Sequence, residues 1–279
     1  MRRSVGADSM DNLDTWNGNR SRPSRYCALT RFLRARGPAV AGIAGPILFW
    51  SVLIILGQVQ PAYNAVTHDI SLLAIGDEGW TQTTNFIVFG LSIIVFQRGL
   101  VEAIAPGRAW GSMSILAFAS GLALVAMAIF PTDPPGIWTA HGAVHLGVVA
   151  VLALLLPIVC FMAAATVKRL APWRGYARFT ILTGMLTGMM TLVLLLVWGG
   201  AWRALHPWLG LFERAVFAVP SVWMGVMGVR LMKNREIELD TAARAEGDPL
   251  AWSQCDPPQI TALLRRACRK GGGCGCRRA

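Results

Sequence analysis

The sequence predicts an all-α, polytopic bundle of six transmembrane helices with both termini cytoplasmic. Three observations carry that expectation. Hydrophobic residues make up 54% of the 279-residue chain and charged residues only 15%, where a water-soluble chain has about a quarter charged. The apolar residues are gathered into six runs of about 20, the length a helix needs to cross roughly 30 Å of hydrocarbon. Lysine and arginine are distributed unevenly between the connections, as they are in membrane proteins of fixed orientation.

The six runs are 39–59, 85–104, 110–130, 141–164, 179–197 and 212–232. Each is rich in Leu, Val, Ile, Ala and Met and is too long for a strand. Within lipid only a helix satisfies its own backbone, so each is expected to be helical. Ahead of the first run, residues 1–38 are polar and basic with no small-residue cleavage pattern, so the first helix is expected to remain in the mature protein. The second run carries Arg98 and Glu102 four apart near its end, suited to pair or to snorkel. The third ends at Phe130, and the fourth begins with His141 and His145. Gly184 and Gly188 form a small-x3-small pair on the fifth, suited to close helix contact. Glu213 and Arg214 open the sixth, as a local ion pair or as a carboxylate that clamps a ligand. Trp80, Trp138, Trp202 and Trp208 at one membrane surface, and Trp110 and Trp173 at the other, are expected to be interfacial anchors.

Of the 26 lysines and arginines, only Arg203 and Arg214 fall on the side opposite the termini. That places both termini in the cytoplasm of a multi-pass plasma-membrane protein. The net charge of +11 is then accounted for by anionic lipid, and membrane lipids rather than nucleic acid are the expected partners, since no recognition motif accompanies the charge. Residues 1–37 and 234–279 are low in apolar content and are expected to be disordered basic tails flanking a transmembrane domain of residues 38–233. Cys27, Cys255, Cys268, Cys274 and Cys276 fall in or beside those tails and Cys160 within the fourth run, which argues against a disulfide framework.

All four histidines, His68, His141, His145 and His206, fall on the outer side with Asp69, Asp77, Glu78, Asp133 and Glu213. His141 and His145 are spaced i, i+4, which puts both imidazoles on one helix face. Zinc uses that arrangement, with a third protein ligand and an open position for water. His68 or Asp133 is the candidate third ligand. The alternative is that these histidines sit in the headgroup layer and bond water, Asp133 or a loop carbonyl. The stretch Pro131–Gly136 is a turn in its own right, with Thr132 or Asp133 able to bond the local backbone.

The connection from residue 60 to 84 is long, and its centre, 70–75, is apolar enough to lie on or dip into the membrane, which is permitted only where its backbone is covered. Ser71 as nucleophile with His68 as base, three residues apart, is a further candidate. No nucleophile-elbow motif accompanies it.

The ordered set ISLLAIGDEGWTQTTNF, then FPTDP with a histidine beyond it, then GLFERAVFAVPSVWMGVMGVRL resembles the family called domain of unknown function 998 across residues 40–233. The resemblance implies a six-helix membrane fold with no established activity. The family's pattern has glycine where this chain has Ala74, and its Gly-x-x-His falls on Gly142 to His145. His145 therefore carries over, and His141 is an addition. A similarity of residue types, without aligned sequence, links the outer cluster to alkaline ceramidases and adiponectin-receptor-like zinc hydrolases.

The working expectation is a zinc-dependent hydrolase acting on a lipid or amphiphile. His68, His141 and His145 would be its ligands, with Asp133 or Ser71 assisting a metal-bound water. The alternatives are a non-catalytic scaffold or partner-binding protein, or a small transporter. The last is disfavoured because the helix centres lack charge and no inverted repeat is visible.

Overall fold

A computed structural model describes residues 25–105 and 111–247, and among these every regular element is helical. The long helices are α1 (Arg25–Val59), α2 (Gly79–Ile104), α3 (Ser112–Ile129), α4 (Ala140–Val167), α5 (Ala177–Trp198) and α6 (Leu209–Gly247). Short 3₁₀ turns, Ile70–Ala74, Ala171–Tyr176 and Arg203–Trp208, sit in three of the connections. All six long helices contain a segment long and apolar enough to cross a membrane. Large side chains such as Ile54, Ile55, Leu182 and Val222 stand more than half exposed along their outer faces. Apolar surface on that scale belongs in lipid, and the chain is a multi-pass membrane protein.

The helices form a closed ring. Each packs against its sequence neighbours, and α6 closes the ring on α1. Apart from the one between α1 and α2 the connections are short, and antiparallel neighbours are the economical way to link consecutive spans. The interior is filled by Phe49, Phe86, Phe96, Leu152, Met227 and their neighbours. At the centre a cavity of about 40 Å³ remains between α2, α3, α4 and α6.

Two predicted packing features have a clear outcome. A Cβ on Gly184 would lie 3.1 Å from Phe161 and 3.2 Å from Cys160, so the glycine lets α5 approach α4 closely, whereas at Gly188 the nearest contact is an ordinary 3.6 Å to Pro157. Trp80, Trp138, Trp202 and Trp208 are exposed, but Trp173 is 2% exposed and so does not stand at a lipid surface as an anchor. Arg230 of α6 lies over the rings of Trp173 and Tyr176 and donates to the Pro172 carbonyl, which buries that tryptophan beneath a cation–π contact. Trp110, most of both tails and the four C-terminal cysteines lie outside the described residues.

Pro157 removes one backbone bond inside α4, freeing the Ala153 carbonyl one turn earlier. Thr191 of α5 donates its hydroxyl to that carbonyl at 3.0 Å. The break in one helix thereby becomes a bond between two.

Candidate functional site

The connection between α1 and α2 folds back into the end of the bundle instead of lying on its surface. Its 3₁₀ turn is apolar at Ile70 and Leu73, each 1% exposed, and their burial carries Ser71 inward to 3% exposure. Several bonds fix the turn from outside. The Ile70 N–H donates to Glu213 Oε2 at 2.5 Å. Arg214 donates to the His68 carbonyl at 3.0 Å and also to the Tyr63 hydroxyl. Tyr63 in turn donates to the Asp69 carbonyl at 3.0 Å.

Ser71 meets His145, 74 residues away in sequence, with Oγ and Nε2 2.8 Å apart. The other ring nitrogen, Nδ1, is 2.7 Å from the Phe130 carbonyl. A carbonyl only accepts, so Nδ1 carries the proton; Nε2 is then the acceptor, and the Ser71 hydroxyl donates to it. The Phe130 carbonyl is available because α3 ends there, followed by Pro131, and the last carbonyls of a helix have no partner of their own. His145 itself is 4% exposed on the first turns of α4.

Asp133 is in the connection just ahead of this histidine but bonds elsewhere. Its Oδ2 accepts the Thr139 N–H and its Oδ1 the Thr139 hydroxyl, both at 2.7 Å. Thr139 is the N-cap of α4 and accepts from the Gly142 N–H at 3.1 Å. The two bonds from Thr139, the side-chain one foremost, hold the Asp133 carboxyl below its ordinary 3.8. A Cβ at position 142 would lie 2.0 Å from Asp133 Oδ2, so only glycine leaves room for the carboxylate against the helix start. The Gly-x-x-His spacing thus combines a seat for Asp133 with the placement of His145.

A cleft of about 500 Å³ opens onto the serine and histidine. Its polar wall includes His68, Asp69, Asp133, His206 and Glu213, and its apolar wall Leu146, Val149, Trp198 and Leu209. Burial raises the Asp69 carboxyl above its usual 3.8 against the pull of Arg214, and its Oδ1 is buried with no hydrogen-bond partner. Burial likewise raises the Tyr63 hydroxyl above its ordinary 10.0, opposed by Arg214.

The three residues anticipated as zinc ligands have different surroundings. His145 has both nitrogens engaged. His141 is exposed, its ring against Phe130 at 6.0 Å, and does not line the cleft. His68 lines the cleft while its Nδ1 accepts the Asn64 N–H at 3.1 Å. Among the described residues no group of three His, Cys, Asp or Glu side chains is placed to hold a metal ion. Sequence spacing also paired Ser71 with His68, whereas in the folded chain its hydroxyl reaches His145. No sequence signal points to Tyr63, and Arg214 stands out only by its charge and its place beside Glu213, because both bond loop backbone, which leaves no motif.

Residues 43–230, more than half of the chain, match the family described as "Protein of unknown function (DUF998)". The chain belongs to this family. The match takes in the DUF998 segments that supply Ser71, Phe130, Asp133, His145 and Glu213, so the whole cleft lies inside the family region. It leaves out both basic tails entirely. No curated protein and no solved structure matches the chain.

Proposed function

We propose that this DUF998 protein is a membrane-embedded hydrolase in which Ser71 is the nucleophile and His145 the general base, acting on a carboxylic ester of an amphiphile. The observation that carries the reading is the hydrogen-bond chain Ser71 Oγ to His145 Nε2 and His145 Nδ1 to the Phe130 carbonyl, opening on the cleft. In this reading the imidazole has the tautomer that serine activation requires, set by the bond at its other nitrogen. The negative end of the α3 dipole faces the imidazolium that forms, a contribution of about 0.3–1 kcal/mol and up to about 2 where partly buried.

Both half-reactions then use the same two side chains. Ser71 Oγ forms a bond to the ester carbonyl carbon while its proton passes to His145 Nε2; the carbon–alkoxide bond breaks and the leaving alcohol takes that proton. Water repeats the sequence on the acyl-serine, giving its proton to Nε2, and the acid leaves as Ser71 regains its hydrogen. Leu146, Val149, Trp198 and Leu209 supply an apolar wall for the chain of such a substrate. The hydrolase expected from sequence is kept, with the role assigned to zinc passing to the serine and histidine, since a metal on His145 would have to displace one of two short bonds.

We further infer that the termini are cytoplasmic and the cleft faces outward across the plasma membrane, supported by the lysine and arginine distribution. The test of the chemistry is labelling of purified, detergent-solubilised protein with a long-chain alkyl fluorophosphonate, which esterifies an activated serine with loss of fluoride. Mass spectrometry is expected to place the adduct on Ser71; Ser71→Ala abolishes it, and His145→Ala slows it by about 10²-fold or more. An unmodified Ser71 in folded protein would mean that the Ser71–His145 bond is a structural tie.

A further inference from the structure

We infer that Glu213 is a positioning residue for Ser71: through its bond to the Ile70 N–H, it fixes the register of the serine-bearing turn against His145. This deepens the hydrolase reading and rests on it.

The argument begins with how the serine is held. Ser71 and His145 come from separate parts of the chain, and a 2.8 Å bond between them tolerates little relative motion of the Ile70–Ala74 turn and α4. Neither element is covalently close to the other. The turn is instead fastened to a third element, the start of α6. Three successive residues ahead of the serine carry the fastening. Arg214 takes the His68 carbonyl, Tyr63 takes the Asp69 carbonyl while itself accepting from Arg214, and Glu213 takes the Ile70 N–H. Further out, the Leu211 N–H donates to the Val66 carbonyl at 3.3 Å. Gly210 makes the docking sterically feasible, since a Cβ there would lie 2.4 Å from the His68 oxygen and 2.7 Å from the Ala65 oxygen.

Among these ties Glu213 has a distinct place. It bonds the residue adjacent to Ser71, it is only 1% exposed, and a buried carboxyl is costly unless something in the fold needs it. A leucine would fill that space without the cost but would leave the Ile70 N–H unbonded. Glu213 lines the same cleft as the serine. It touches neither the serine oxygen nor the imidazole by any hydrogen bond, and so acts through the backbone of Ile70. A misplacement of about 1 Å at a reacting group lowers a rate by about 10²-fold, which sets the scale of the effect.

The experiment measures fluorophosphonate inactivation of Ser71 in the full chain, resolving the binding constant from the maximal rate, for the wild type, Glu213→Gln and Glu213→Ala. Thermal unfolding is recorded for each. Glutamine keeps an acceptor for the Ile70 N–H and is expected to react within about threefold of the wild type. Alanine is expected to lower the maximal rate by about 10²-fold with the binding constant unchanged. Equal maximal rates in all three proteins would overturn the inference, as would a folded glutamine variant that has lost ten-fold or more. That second arm decides the matter even if the alanine variant does not fold. A wild type in which Ser71 never reacts strikes the hydrolase reading itself, which separates the two failures.

Discussion

At the scale of single residues, Asp133 and Thr139 show how a residue that looks chemical in the sequence serves local structure. Both carboxylate oxygens of Asp133 are committed to Thr139 at the start of α4. A carboxylate held below its ordinary 3.8 stabilises the fold fully above that value, and the contribution disappears as pH falls through the depressed folded-state value. Asp133→Asn is therefore expected to lower the unfolding temperature at neutral pH, with the gap to the wild type closing below about pH 3.8. Unfolding scans in detergent between pH 3 and 7 would test this; a gap that stays constant to pH 3 excludes the charge as its source. Ser71 and His145 were both legible as candidates, yet their pairing was not. Sequence spacing favours neighbours such as His68, and nothing local encodes a contact spanning 74 positions.

The helices themselves were the most legible part, because hydrocarbon thickness dictates a length and lipid dictates a composition. Each predicted run overlaps an observed helix, and the differences fall at the ends. The second apolar run starts at 85, but α2 begins at Gly79, since a polar residue such as Gln82 is buried within the bundle and does not mark a loop. Asn85 donates to the Phe49 carbonyl and to Gln82, contacts that a hydropathy pattern does not record. The Pro157 break in α4 was equally silent about its partner. Thr191→Val keeps the shape of the side chain but leaves the Ala153 carbonyl unbonded at a buried site, so a loss of about 1–3 kcal/mol is expected. Reversible unfolding in mixed micelles checks it, and an unchanged stability would show that Ala153 finds another donor.

On the scale of the whole molecule, the ring brings three connections to one end. The His145 bond to Phe130, the Ser71 bond to His145 and the Glu213 bond to Ile70 all join there. The sequence had grouped these segments on one side through charge distribution alone. Its prediction about which side follows from the same residues. Ala201→Cys, in an exposed connection at the cleft end, is expected to react with a membrane-impermeant maleimide in intact cells. Ala171→Cys, exposed at the other end, is expected to react only after permeabilisation. The reverse pattern would invert the orientation. The open cleft beside the serine, about 500 Å³, is of ligand size, whereas the central cavity of about 40 Å³ has room for water.

The partner of His145 Nδ1 is main chain, and this has a genetic consequence. A serine–histidine pair completed by aspartate advertises its third member, since exchanging that aspartate destroys function and comparison of relatives marks the position. Here any amino acid at position 130 still presents a carbonyl, so neither alanine scanning nor sequence variation would register the group that sets the tautomer. Only changes that move the end of α3, at Pro131 or in the last turn before it, would expose its contribution.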